Sequence, residues 1–454
     1  MTGTNQQPPL ALASWQFDPE RPPFHDDQLD RQRYATRLTD FVGRLGAGGV
    51  IAVDAPWGSG KTWFGRNWAA QLHAGGHKFA FIDAFEQDYL EDPFMVIAAE
   101  LATLLDDSKG GASLLRGKAA AVMKAILPLG SRLLVNVVGR FALGSADLSD
   151  DIQEAVDAAR EGVADRAEKS IEKKLEEHEN EKKSFVEYRR ALAEFAAEQE
   201  KPVVVFIDEL DRCNPMFAVR LIERIKHFFE IPNVVFVLLL NREQLEQAVK
   251  GMFGRETDAA AYLSKFVRFF FRLPAPSADR NSQFRSQASD FLVNELSRYG
   301  FIAQRNRAVE HFQQAGLVWV HAARLSLRDI EKMCALYALS GPNGAAGLLA
   351  HLIALKLRAP SIHDGLLRED LRAHRTAAEW IGDCIGGADF EEDTIQAKYL
   401  AALQELHLSL AGFGPEESQH LSGPVADWIL GDVRRSDKRA VRDTLARIDL
   451  SLEM

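Results

Sequence analysis

Two stretches of the chain are apolar without a break and then stop at polar residues. In Lys201-Pro-Val-Val-Val-Phe-Ile-Asp-Glu-Leu-Asp-Arg-Cys213 the run ends at Asp208 and Glu209, and in Asn233-Val-Val-Phe-Val-Leu-Leu-Leu-Asn-Arg242 it ends at Asn241. Strands buried on both faces of a parallel sheet read in this way, as continuous apolar runs. A third β-branched run, Ile51 to Val53, leads into a glycine-rich loop, after which Trp63, Phe64, Trp68 and Leu72 recur at helical spacing. The aromatic run in Tyr262-Leu-Ser-Lys-Phe-Val-Arg-Phe-Phe-Phe-Arg-Leu-Pro274 would supply the last strand of the same sheet. From Ser277 onward the periodicity is helical. Phe284, Ala288, Phe291, Leu292 and Leu296 share one face, Leu327, Ile330, Met333, Cys334 and Tyr337 another, and Gly347 to Leu357 and Tyr399 to Leu410 are apolar helices. Most of these aliphatics are expected to be plain core.

The loop after the first strand carries the chemistry. Val50-Ile-Ala-Val-Asp-Ala-Pro-Trp-Gly-Ser-Gly-Lys-Thr62 fits the pattern of a phosphate-binding loop, with Ala55 where glycine is commoner. Closely spaced backbone N–H groups must meet a triphosphate, and Gly58 and Gly60 give the chain room to wrap that tightly. Ala55, Pro56, Trp57, Gly58, Ser59, Gly60, Lys61, Thr62 and Trp63 are therefore the candidate nucleotide-binding residues. Lys61 would place its ammonium on the β- and γ-phosphates, and Thr62 would give its hydroxyl to Mg²⁺. The helix beginning there would point its positive end at the anion. The expected ligand is Mg-ATP or Mg-GTP. Asp208 would hold Mg²⁺ through water, and Glu209 would polarise the water that attacks the γ-phosphate. Asn241 would contact the γ-phosphate or orient that water, against a plain reading as a strand cap. A cation on the γ-phosphate is also needed: Arg268 or Arg272 is the candidate finger reaching a neighbouring subunit, and Arg328, opening a helix, is the candidate sensor.

The loop and the Ile207-Asp-Glu-Leu-Asp-Arg-Cys213 strand end together resemble the KAP family of P-loop NTPases, on Trp57, Gly58, Gly60, Lys61, Thr62, Asp208, Leu210, Asp211, Arg212 and Cys213. Phe79-Ala-Phe-Ile-Asp-Ala-Phe-Glu86 is similar to that family's second strand, and Arg324-Leu-Ser-Leu-Arg-Asp-Ile-Glu331 to its helical segment after the nucleotide domain. The resemblance implies an ATP-hydrolysing fold whose bacterial members are often linked to phage exclusion and defence, and whose animal members carry membrane spans between the two motifs. It departs at Glu209, where family members often have aspartate. The expected fold is α/β: a three-layer αβα P-loop core around a parallel sheet, with an extra strand between the two nucleotide motifs. A helical insertion and a C-terminal all-helical lid complete it. The expected divisions are an arm over 1–29, core over 30–105, insertion over 106–200, core again over 201–276, and helical lid and C-terminal region over 277–454.

Lys61 and Asp208 lie 147 residues apart, so the insertion is long. Its part 119–143 is apolar but is interrupted by Lys124, Arg132 and Arg140 and broken by Pro128-Leu-Gly130, which argues against a membrane span. A protein-facing hairpin is the favoured reading, and an interfacial hairpin lying on a membrane is the other. Residues 150–200 are rich in charge and alanine and should be helical. Ile152, Val156, Ala159, Val163, Ala167, Ile171 and Leu175 form a thin coiled-coil-like seam. A partner-binding arm and a solvated spacer fit it equally.

Composition adds three constraints. With 454 residues and 46% hydrophobic content the chain can bury substantial cores in two or three domains. Cys213, Cys334 and Cys384 fit neither a disulfide framework nor a zinc site, and the polar, proline-rich Met1 to Phe24 is no secretory signal, so a cytoplasmic location is expected. The histidines are scattered, and Gly75-Gly76 separates His73 from His77, so no structural metal is expected. A net charge of −11 disfavours wholesale binding of nucleic acid. The leading expectation is a slow ATPase that drives a conformational switch or the assembly of a protein partner complex, its cofactors ATP and Mg²⁺. A membrane-associated ATP-dependent organiser, a nucleic-acid-stimulated ATPase, a P-loop kinase and a homo-oligomer stay open.

Overall fold

Five strands, all parallel, form one sheet among the described residues: β1 (Gly49–Asp54), β2 (Phe79–Asp83), β3 (Val203–Asp208), β4 (Val234–Leu240) and β5 (Phe269–Arg272), in the order β2-β3-β4-β1-β5. The computed structural model describes residues 17–89, 93–103, 186–226, 231–274, 282–301, 306–341, 345–388, 390–391, 394–413 and 438–449. The hairpin expected at 119–143 and the seam from Ile152 to Leu175 lie outside these residues. β4 separates the strand that feeds the glycine loop from the strand that ends in Asp208, which is the extra strand implied by the resemblance. Every residue of β3 and β4 is buried, as their unbroken apolar sequences require.

Successive side chains of a strand point to opposite faces, so each central strand feeds two cores. Val203, Val205 and Ile207 face one side with Val50 and Ala52, and Val204 and Phe206 face the other with Ile51 and Val53. The second face is covered by α1 (Arg31–Gly43) and α2 (Lys61–Ala74), through Leu38, Val42, Phe64, Trp68 and Leu72. The first is covered by α3 (Pro93–Thr103), α4 (residues 186–197), α5 (Pro215–Ile225), α6 (Arg242–Phe253) and α7 (Ala259–Ser264). Three layers result. Within the stretch expected as an arm, Phe24 is buried: its ring lies 5.6 Å from Trp63, and its N–H donates to Asn67 Oδ1 at 2.7 Å.

The rest of the described chain is helical: α8 (Ser282–Arg298), α9 (Arg307–Ala322), α10 (Leu327–Ser340), α11 (Ala346–Arg358), α12 (Pro360–Leu367), α13 (Leu371–Gly387), α14 (Ile395–Leu410) and α15 (Lys438–Ile448). These share one hydrophobic core, centred on the almost wholly buried α11 and on Trp319 of α9. Three histidines that lie far apart in sequence meet in it. His351 Nε2 is 2.9 Å from His407 Nε2, and His407 Nδ1 is 2.9 Å from His374 Nδ1. Among the described residues no group of histidine, cysteine and acidic side chains is arranged to hold a metal ion, and no helix is long and apolar enough to cross a membrane.

Candidate active site

After Asp54 the chain turns through Ala55 to Gly60 and enters α2 at Lys61. Gly58 (φ +76°) and Gly60 (φ +81°) both take left-handed backbone conformations that a side chain would strain. Space is short as well. A Cβ on Gly58 would stand 2.6 Å from Ser326 Oγ and 2.9 Å from Arg328 Cβ, and one on Gly60 would stand 2.8 Å from Arg31 Nη1. The loop is thus enclosed by the first residue of α1 on one side and by the start of α10 on the other.

Lys61 is buried, and its Nζ donates to Ala55 O at 2.9 Å and Pro56 O at 3.3 Å. Burial lowers its pKa, while Asp211, Asp208, Glu209 and Asp54 oppose that shift by their charge. Four carboxylates therefore face one ammonium. Asp208, closing β3, is 1% exposed; its Oδ1 accepts the Glu209 N–H at 2.8 Å and its Oδ2 has no hydrogen-bond partner. Burial pushes its pKa up to about 7; the Thr62 hydroxyl opposes this and the Glu209 carboxylate adds to it. A buried carboxylate oxygen without a donor is costly in isolation and suits a site for a divalent cation. The residues present therefore fit Mg-nucleotide: Thr62 Oγ1 and Asp208 would hold the ion, and the loop would hold the phosphates.

Glu209 has φ +58° and turns the chain into a short 3-10 helix, Leu210–Arg212. Its Oε1 accepts the Thr62 hydroxyl at 3.3 Å and its Oε2 accepts Arg212 Nη1 at 3.0 Å. Thr62, Asp208 and Glu209, drawn from the two distant motifs, thus meet at one point. Asp211 accepts the Trp57 indole N–H, tying the loop to the same turn, and burial raises its pKa against the charge of Lys61. Asn241 stands at the carboxyl end of β4, between the ends of β1 and β3; its carbonyl accepts the Leu245 N–H at 3.1 Å and its side chain makes no capping bond. Next to it, the Arg242 N–H donates to Asp54 Oδ1 at 2.9 Å.

The arginines divide by position. Arg272 stands in register with Asp54 at the loop end of edge strand β5, whereas Arg268, just ahead of that strand, donates its N–H to Val50 O at the opposite end, about 13 Å away. Arg328, the second residue of α10, has an exposed side chain, and its N–H donates to Gly58 O at 3.2 Å. A capping box fixes the start of that helix, with Ser326 and Asp329 each bonding the other's backbone N–H. Motif reading missed Ser326, Arg31 and the Trp57–Asp211 contact. The Ser-x-x-Asp capping pattern was a visible signal for Ser326. Arg31, on a helix ahead of β1, belongs to no spacing pattern.

The family profile described as KAP family P-loop domain matches residues 31–335, which take in the loop, the acidic strand end and α10. The chain belongs to the KAP family. Among curated relatives, the Phage T7 exclusion protein of Escherichia coli (strain K12) is 29% identical over 86 residues, which are 19% of this chain and 12% of that protein. This KAP chain therefore aligns with about an eighth of that relative's length. Among solved structures, the Aeropyrum pernix ORC2 protein, in ADPNP-ADP complexes, is matched over 96% of each chain at 13% identity and a TM-score of 0.30. Nucleotide binding by a P-loop domain follows from the family, and the five-stranded parallel sheet is in keeping with that domain.

Proposed function

We propose that this KAP-family chain binds Mg-ATP and hydrolyses it to move its C-terminal helices against the phosphate loop. The observation that carries the reading is the meeting of Thr62, Asp208 and Glu209 beside a loop whose Gly58 carbonyl is bonded by the first turn of α10. Mg²⁺, when bound, supplies a Lewis acid that offsets the charge of the β- and γ-phosphates. Lys61 leaves the loop carbonyls for the phosphate oxygens. Thr62 would face the ion through an oxygen lone pair while its O–H remains a donor, and Glu209 would orient a water and accept its proton. Asn241 orients the same water from the adjacent strand end. Arg328 senses the γ-phosphate from α10, and Arg268 or Arg272 serves as the finger that reaches a neighbouring subunit.

Such a device is a switch: nucleotide state alters the loop, and the loop is in direct contact with α10. Low turnover that a protein partner raises is the expected behaviour, and the insertion and C-terminal region are the surfaces proposed to meet the partner in the cytoplasm. The name of the T7 exclusion relative makes anti-phage defence the biological setting we favour. The test is equilibrium binding of ATP and GTP with Mg²⁺, followed by phosphate release, for the parent chain, Lys61→Ala and Glu209→Gln. Binding lost in Lys61→Ala, with binding kept and release lost in Glu209→Gln, supports the reading. Equal phosphate release by all three proteins would overturn it.

A further inference from the structure

Arg31 opens α1, and its side chain runs inward behind the phosphate loop; the residue is 1% exposed. Nη2 donates to Ser59 O at 2.6 Å and to Pro274 O at 3.4 Å, Nη1 donates to Gly60 O at 3.3 Å, and Nε has no partner. Among the described residues it makes no ion pair with a carboxylate. Burial brings its pKa down to about 10, and the charge of Asp27 offsets this in part. A buried guanidinium without a carboxylate partner is destabilising unless something else supplies negative charge.

The acceptors explain what the charge does. The Ser59 and Gly60 carbonyls belong to the peptide units that carry the Gly60 and Lys61 N–H groups. In a planar trans peptide the N–H points opposite to the C=O. A cation gripping both carbonyls from behind therefore keeps the Gly60 N–H turned to the other side of the loop and polarises both N–H groups as donors, the Gly60 carbonyl being held also by the Phe64 N–H at 3.0 Å. Arg31 also lies where a Gly60 side chain would be, with Leu327 of α10 next to that space, so it fills the gap between loop and helix.

We propose that Arg31 is a positioning residue of the phosphate cradle: it aims the Gly60 and Lys61 N–H groups at the nucleotide's phosphates, and its buried charge is balanced by those phosphates when they bind. This rests on the nucleotide-binding reading above. The experiment compares the full chain with Arg31→Met and Arg31→Lys, measuring thermal midpoint without nucleotide, midpoint with Mg-ATP, and the ATP dissociation constant. Arg31→Met removes an uncompensated charge, so the nucleotide-free midpoint should hold or rise while the ATP-induced shift shrinks and affinity falls at least about tenfold. Arg31→Lys keeps the charge without the fork and should fall between parent and Arg31→Met. An Arg31→Met protein with a lowered nucleotide-free midpoint and ATP affinity within about twofold of the parent would make Arg31 structural only and overturn the inference. If Arg31→Met does not fold, Arg31→Lys decides, since parental affinity in that variant overturns the proposal and weakened affinity supports it. A parent chain that binds no ATP would instead overturn the nucleotide reading and this inference with it.

Discussion

Glu209 occupies a left-handed backbone conformation in which a non-glycine residue is strained, and it is held there with its carboxylate between Thr62 and Arg212. Replacing it by glutamine keeps the shape and removes the base. Glu209→Gln should bind ATP like the parent and lose at least about a hundredfold in turnover, read as phosphate release under saturating ATP. Gly58→Ala tests the loop from the other direction. Its methyl would lie 2.6 Å from Ser326 Oγ in a backbone conformation that disfavours alanine, so the loop or α10 must shift. We expect a loss of about 1–3 kcal/mol in denaturant-measured stability, together with weakened nucleotide binding. Motif spacing singled out Lys61, Thr62, Asp208 and Glu209, and the fold brings Thr62, Asp208 and Glu209 together. Arg31 and the Trp57–Asp211 contact were not legible in this way, because both depend on how separate segments pack after folding.

Strands β3 and β4 were readable directly, since a strand flanked by helices on both faces has no polar position to spare. β2 was harder: it lies at the sheet edge and alternates between buried and half-exposed positions, and it was read only through the family resemblance. The start of α10 joins sequence to site most directly. Ser326→Ala removes the cap and should cost about 1 kcal/mol of stability by chemical denaturation. Unlike an ordinary cap mutation it should also change nucleotide affinity, because Ser326 abuts Gly58. The three histidines of α11, α13 and α14 were invisible to spacing arguments, which compare neighbours along the chain. Burial lowers the pKa of His351 to about 3 and that of His407 well below its ordinary value, with His363 adding to the first and His351 and His374 to the second. The unfolded chain protonates them near pH 6.5 while the folded chain resists, so their contribution to stability is complete above about 6.5 and is lost as pH falls toward 3. His351→Gln should make the fall between pH 6.5 and 5 shallower by about 1 kcal/mol per pH unit, measured by urea denaturation.

For the molecule as a whole, the order of apolar runs and helical periodicities predicted a parallel sheet followed by helices, and that is the described architecture. What the pattern did not reveal is how the helices are joined to the nucleotide site. Arg31 ahead of the first strand and Arg328 well beyond the last both bond the same six-residue turn between β1 and α2. On the function proposed above, a turn gripped from both ends of the family domain would transmit nucleotide state to the helices. The net charge of −11 keeps nucleic acid a weaker partner candidate than protein, and DNA that accelerated hydrolysis with a steep salt dependence would reverse that ranking. The measurement that bears most directly on the account is steady-state phosphate release from Mg-ATP by the full chain, with Lys61→Ala and Glu209→Gln alongside. The account predicts slow release by the parent that both substitutions abolish, with ATP still bound by Glu209→Gln. Release that persists in Glu209→Gln would contradict the role given to Glu209, and failure of the parent to bind ATP at all would contradict the account as a whole.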